Sequence, residues 1–223
     1  MDEQVMGAMQ KWPNVPAVYG WLSLSAQGDW LLHKHGGARE GETGQKIANE
    51  QIRHFMNRNY AATPAGEWYF QNGPQRVFVD LVSAPFIVRL ADDLQTLVTH
   101  NELPVTRVSQ WLLDEQGRLY LRTEHGAAIL AGRDMELVTA RLKVLNESTA
   151  SSTPAQSDNP TTQTMDDIDN ATALDASHLQ ALGDGETLRV SLNGASTLTA
   201  PMQWVQSSQV PAQLGFVPVP TAS

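Results

Sequence analysis

Six histidines and no cysteine bound the metal and thiol chemistry open to this chain. Without thiolates there are no disulfides, thiolate zinc sites, iron–sulfur clusters or cysteine nucleophiles. His33 and His35 stand two apart on a predicted strand, so both could face one way and share a metal. Third and fourth ligands are not evident, because His54, His100, His125 and His178 are scattered. The expectation is exposed, solvated histidines, with no metal and no cofactor. Gly36-Gly37, Gly41 and Gly44 precede a predicted helix, where backbone N–H groups could cradle a phosphate. The spacing matches neither the P-loop nor the dinucleotide fingerprint, and Glu40 and Glu42 would repel phosphate, so a mobile charged loop is expected. Asp166-Asp167-Ile168-Asp169-Asn170 lacks the glycine and the terminal glutamate of a calcium loop. No G-x-S-x-G elbow is present, so the sequence names no catalytic residue.

Two groups remain as candidates for binding. Asn72-Gly73-Pro74-Gln75-Arg76 reads as an exposed hairpin tip. Its amides (Asn72, Gln75) and guanidinium (Arg76) suit a polar or anionic ligand. The competing reading is turn chemistry alone, with Arg76 paired to a nearby acid. Trp21, Trp30, Trp68, Tyr69, Phe70, Phe78 and Phe86 crowd the first half of the chain. Aromatic density can line a pocket, but in a unit of this size most of it must be core. The candidate ligand-binding set is therefore Asn72, Gln75, Arg76, Trp68 and Trp30.

The elements that carry these residues are legible from turns and periodicity. Residues 1–16 read as an extended lead-in, because Pro13 and Pro16 push their predecessors toward extended geometry. Residues 19–24 and 29–33 form a hairpin around a Gly-bearing turn. A helix is predicted over 48–59, with Asn49 as N-cap and Ile52, Phe55, Met56 and Tyr60 as its apolar stripe. Residues 67–71 and 75–81 make a second hairpin, with Asn72-Gly73 as the turn. Pro85-Phe86-Ile87-Val88 follows as a short strand. The second half repeats the order: a hairpin over 111–123, a helix over 134–145, then strands at 187–192, 197–199, 202–205 and 214–217, with Asn193-Gly194 as a turn.

Between these, a segment at about 146–183 is rich in Ser, Thr, Asn, Asp, Gln and Pro and free of aromatics. It cannot bury enough apolar surface to offset chain entropy and is expected to be disordered. The halves correspond in pattern. Gly28-Asp29-Trp30 answers Gly117-Arg118-Leu119, and Gly66-Glu67 through Asn72-Gly73 answers Gly185-Glu186 through Asn193-Gly194. Pro85-Phe86-Ile87-Val88 is matched with Pro201-Met202-Gln203-Trp204. The predicted fold is α+β: two related β-hairpin–helix–β-hairpin units with antiparallel sheets, packed side by side. The units span 17–100 and 101–223, the second interrupted by the insert.

Composition narrows the partners. The 223 residues carry 15 Lys and Arg against 24 Asp and Glu, for a net charge of −9. Nucleic-acid binding draws its affinity from cations on phosphate, so that partner and an anionic membrane are both disfavoured. The acidic start, Met1-Asp2-Glu3-Gln4, is unlike a signal peptide, and no uncharged stretch is apolar enough to span a bilayer. A cytoplasmic protein is expected.

Trp12-Pro13-Asn14-Val15-Pro16, Tyr19-Gly20-Trp21-Leu22, Asn57-Arg58-Asn59-Tyr60, the string from Trp68 to Val77, and Gly215-Phe216-Val217 together resemble a proteobacterial family of unknown function. More distantly, the order of elements up to Ala84-Pro85-Phe86 is similar to a second uncharacterised bacterial family. That similarity implies a two-part fold with a repeated motif and a signal-transduction role, and no catalytic residues. The expected function is a non-enzymatic module that binds a small molecule or a protein, with a regulatory role. The alternatives are an enzyme of unrecognised class acting on a small polar or anionic metabolite, and a structural or assembly protein.

Overall fold

A computed structural model describes residues 1–145 and 171–222. Two five-residue turns of one design each join a hairpin, one in each sheet. In the first, the Ser25 hydroxyl accepts from the Gln27 and Asp29 amides at 3.2 and 3.0 Å. In the second, the Asp114 carboxylate accepts from the Gln116 and Arg118 amides at 2.9 and 2.8 Å. Each turn then needs a left-handed residue, and glycine supplies it at Gly28 (φ 85°) and Gly117 (φ 72°).

Around the first turn, β1 (Val18–Leu24) pairs antiparallel with β2 (Trp30–Leu32), and β2 with β3 (Gln45–Lys46). Helix α2 (Glu50–Arg58) follows, capped by the Asn49 side chain, which accepts from the Ile52 amide at 3.1 Å. Next come β4 (Tyr60–Ala62), β5 (Trp68–Asn72) and β6 (Gln75–Leu81), and β6 closes beside β1 in parallel. The six-stranded sheet is ordered β3-β2-β1-β6-β5-β4.

The second sheet is built from β10 (Val108–Asp114), β11 (Leu119–Thr123), β12 (Gly126–Leu130), α3 (Met135–Thr139), β13 (Leu142–Leu145), β15 (Leu188–Leu192) and β16 (Thr199–Val205). β16 closes beside β10, again in parallel. Four further strands extend this sheet: β7 (Phe86–Leu90), β8 (Leu97–Thr99), β9 (Pro104–Val105) and β14 (Ala171–Ala173). Its ten strands are ordered β14-β13-β15-β16-β10-β11-β12-β7-β8-β9. The fold is thus mixed α+β with two large sheets. The expectation of antiparallel sheets is corrected by three parallel pairings: β1 with β6, β10 with β16, and β7 with β12.

Other expectations shift as well. Residues 3–11 are a helix, α1 (Glu3–Lys11), rather than extended chain. Asp2 ties its start to the end of α2, accepting from Arg58 at 3.2 Å and from Asn59 at 3.2 Å, and these bonds lower the Asp2 pKa. The helix predicted over 134–145 stops at Thr139, because Leu142 and Val144 are buried at strand spacing against β15. Pro85-Phe86-Ile87-Val88 and Pro201-Met202-Gln203-Trp204 take different places: β7 lies in the second sheet beside β12, whereas β16 lies beside β10. The sheets therefore part after Leu81, with residues 86–105 in the second.

Of the expected disordered insert, 146–170, including the acidic stretch at 166–170, lies outside the described residues. Residues 171–183 form β14 and helix α4 (Ala176–Gly183), capped by Asp175. In place of a last strand at 214, α5 (Val210–Leu214) ends at Gly215, and the tail then returns to the first sheet. The Val217 amide donates to the Gly66 carbonyl at 2.9 Å, and the Leu81 amide to the Pro218 carbonyl at 2.7 Å. A Cβ on Gly66 would stand 2.5 Å from the Gly215 carbonyl, so this crossing requires glycine. No helix among the described residues is long and apolar enough to cross a membrane.

Candidate functional site

Trp30 and Trp68 meet at the seam between the sheets. Tyr60 lies edge-on to Trp30 at 5.1 Å and tilted on Trp68 at 4.8 Å, and Phe86 packs on Trp68 at 5.0 Å. The Trp30 indole N–H donates to Asn57 Oδ1 at 2.9 Å, and the Tyr60 hydroxyl to the Pro85 carbonyl at 3.1 Å. Burial pushes the Tyr60 pKa up. Both tryptophans are buried in this aromatic joint, and they line none of the clefts described below.

The hairpin tip is built differently from its sequence reading. Gly73 and Pro74 occupy the turn, with Gly73 at φ 57°, while Asn72 pairs with Gln75 across the ladder. A tight turn with glycine in its first position matches strand twist. Strand alternation then separates the three polar candidates. Asn72 and Gln75 stand at one end of a groove, and Arg76 points to another cleft, lined by Trp12, Pro13, Gln71 and Pro74. Arg76 lies over the Tyr69 ring at 4.9 Å rather than against an acid.

The groove, about 580 Å³, runs between α2 and the first sheet. Leu22, Leu32, Phe70 and Val77 form its floor, and Ile52, Phe55 and Met56 of α2 form its wall. The register places Leu22 opposite Leu32 and Phe70 opposite Val77, so these residues share one face. Phe55 anchors the helix edge-on to Phe70 at 5.7 Å. Around the opening, Trp21, Leu32 and Ile52 remain 42%, 41% and 49% exposed. Apolar side chains this open are unremarkable singly, but here three surround one concavity. Among the described residues lining the groove, none is titratable.

A third cleft, about 530 Å³, opens at the seam and is lined by the turn at 26–29, Arg53, Ile87, Arg89, His100, Glu102 and residues 131–133. His100 Nδ1 faces the Ile87 amide at 3.4 Å. The residue keeps some surface, but its Nε2 has none, and burial lowers the ring's pKa to about 4.

One arrangement with the polarity of a nucleophile and base went unseen in the sequence. His33 Nδ1 lies 3.1 Å from the Glu42 carbonyl, which can only accept, so Nδ1 carries the proton. His33 Nε2 then accepts from the Ser23 hydroxyl at 2.9 Å. Asp80, paired with Ser23 across β1 and β6, holds Arg39 at 3.5 Å, and burial raises the Asp80 pKa. A Ser–His pair can generate an alkoxide only where substrate reaches it. Here Ser23 is 6% and His33 4% exposed. The cluster instead bonds the glycine loop to the sheet, and His33 is buried rather than exposed. His35 is exposed and does not join it. Among the described residues no three His, Asp or Glu side chains stand together as a metal site.

A family model described as "Protein of unknown function (DUF2946)" matches residues 1–221. No curated protein matches the chain. Two solved structures show a distant likeness. A DUF1285 family protein from Shewanella baltica OS155 is 16% identical with a TM-score of 0.37, over 51% of this chain and 86% of that one. A DUF1285 family protein from Silicibacter pomeroyi DSS-3 is 15% identical with a TM-score of 0.40, over 66% of this chain and 87% of that one. Matched along nearly its whole length, the chain belongs to this family of proteins of unknown function.

Proposed function

We propose that this chain is a non-enzymatic binding module whose groove, between α2 and the first sheet, takes an apolar or amphipathic small molecule. The observation that carries this is the lining: a concave volume of about 580 Å³, apolar side chains throughout, and two amides, Asn72 and Gln75, at one end. Small-molecule sites have this size and this make-up, with a few polar groups fixing orientation. The amides would meet a carbonyl or hydroxyl on the ligand, since each offers both donor and acceptor. General acid–base catalysis has no group to work with there. The net charge of −9 supports a partner that is neither nucleic acid nor an anionic membrane, and with the lack of cysteine it suits the cytoplasm.

We also read the two sheets as copies of one unit. Its support is the strand order, β3-β2-β1-β6-β5-β4 against β12-β11-β10-β16-β15-β13, with the same parallel closure in each. A ligand held between α2 and the first sheet would act on the packing of one of these units, which is the form a regulatory role would take.

The test is a titration with Nile red, a neutral dye that brightens in apolar surroundings. The native chain should bind it with blue-shifted emission. Ile52→Asp should weaken binding about tenfold or more with little change in melting temperature, because Ile52 is half-exposed. Absence of dye binding, or binding indifferent to Ile52→Asp, would overturn the reading.

A further inference from the structure

The cleft at the seam gathers three arginines from three separate elements: Arg53 from α2, Arg89 from β7 and Arg133 from the turn before α3. Among the described residues Arg53 and Arg89 have no carboxylate partner, and Arg133 has a long one, Asp134 at 3.8 Å. The Asp134 oxygen is already engaged, accepting from the Leu90 amide at 3.0 Å. Two other acids line the cleft. Asp29 is neutralised by Lys46 at 2.7 Å, which leaves Glu102 against three guanidiniums.

Like charges brought together cost energy unless an anion answers them. The chain as a whole is acidic, but its distant carboxylates are screened beyond about 8 Å at physiological salt, so the local arginines decide what enters. The floor is fitted closely: a Cβ on Gly28 would stand 2.6 Å from His100 Cβ. Because His100 Nδ1 faces the Ile87 amide as an acceptor, its proton sits on Nε2, and that buried N–H has no protein partner. On the other side, Gly132 leaves open space where a Cβ would project, giving a ligand access to backbone.

We propose that this cleft binds a small metabolite carrying two or more negative charges, with Arg53, Arg89 and Arg133 as its charge partners. Guanidinium groups bind carboxylate and phosphate oxygens in pairs, so both kinds of polyanion fit the chemistry. At about 530 Å³ the space exceeds an inorganic ion and suits a metabolite.

The experiment is calorimetric titration of the full chain with pyrophosphate and with citrate, at fixed ionic strength with chloride as background. Binding of pyrophosphate alone assigns a phosphorylated ligand, binding of citrate alone a polycarboxylate, and binding of both a site read by charge. Arg53→Ala and Arg133→Ala, both at exposed positions, should each weaken binding about tenfold. Arg89→Lys keeps the charge at the half-buried position but loses the paired geometry, and should weaken it less. Nile red binding in the apolar groove should be unchanged in all three, so each site is scored separately. No binding of either anion, or binding unaffected by all three substitutions, would overturn the proposal.

Discussion

The same hairpin position is open in one sheet and closed in the other. Counting from the two matched turns, Leu22 and Leu32 of the first sheet stand where Trp111 and Leu121 stand in the second. Leu32 is 41% exposed and borders the groove, whereas Trp111 and Leu121 have no exposed surface at all. The backbone pairing is the same in both, an antiparallel hairpin flanked by a parallel strand. What differs is side-chain volume and cover. An indole occupies the matched position in the second sheet, and in the first a leucine, itself only 3% exposed, lines the groove beneath a helix whose Ile52 is half in solvent. One backbone plan therefore gives a core in one place and a concave apolar surface in the other.

The largest expected effect breaks this comparison directly. Trp111→Ala should cost about 3–5 kcal/mol, since a large fully buried side chain leaves a hole its neighbours cannot close. Leu22→Ala should cost only about 1–2 kcal/mol, below the usual range for a core leucine, because the space beside it is already open. Urea unfolding of the two variants checks this, and equal losses would remove the distinction between the sheets.

The seam that joins them gives the next effect, through pH. His100 titrates at about 4 in the fold against 6.5 unfolded. Between those values the unfolded chain holds the extra proton, so stability rises with pH across the window and is lost as pH falls from 6.5 to 4. The full loss is up to about 3 kcal/mol. His100→Phe, which keeps an aromatic ring against Trp30 and Phe86, should flatten the pH dependence of the melting temperature over this range. An unchanged slope would place the titrating group elsewhere.

What the sequence showed of this arrangement was its local chemistry. The paired turns at 25–29 and 114–118, the Asn49 cap and the hairpin at 73–74 are each fixed by residues within a few positions, and each lies close to where the pattern put it. Pairings that depend on distant chain were not legible. The β7 run reads as a strand, but nothing local sends it across to β12. Leu142 reads with Leu145 at helix spacing and with Val144 at strand spacing, and only β15 decides between them. Pro13 and Pro16 restrain only the chain near them, and α1 is held from afar by Arg58 and Asn59.

The candidate site divides the same way. Turn chemistry located Asn72 and Gln75, which flank the groove, but strand alternation carried Arg76 elsewhere, and the seam took Trp30 and Trp68 into packing. The apolar stripe of α2 was visible, yet periodicity tells which side is apolar and not whether anything covers it. Arg53, Arg89 and Arg133 are far apart in sequence and become a cluster only in three dimensions.

The smallest expected change in stability gives the most direct test of the groove. Leu22→Trp installs the second sheet's residue at the matching position of the first, inside a space of about 580 Å³. Nile red titration and thermal melting of this variant, beside the native chain, read occupancy and folding together. The account predicts dye binding reduced about tenfold or more with the melting temperature unchanged or slightly raised. A variant that melts like the native chain and still binds the dye fully would contradict it.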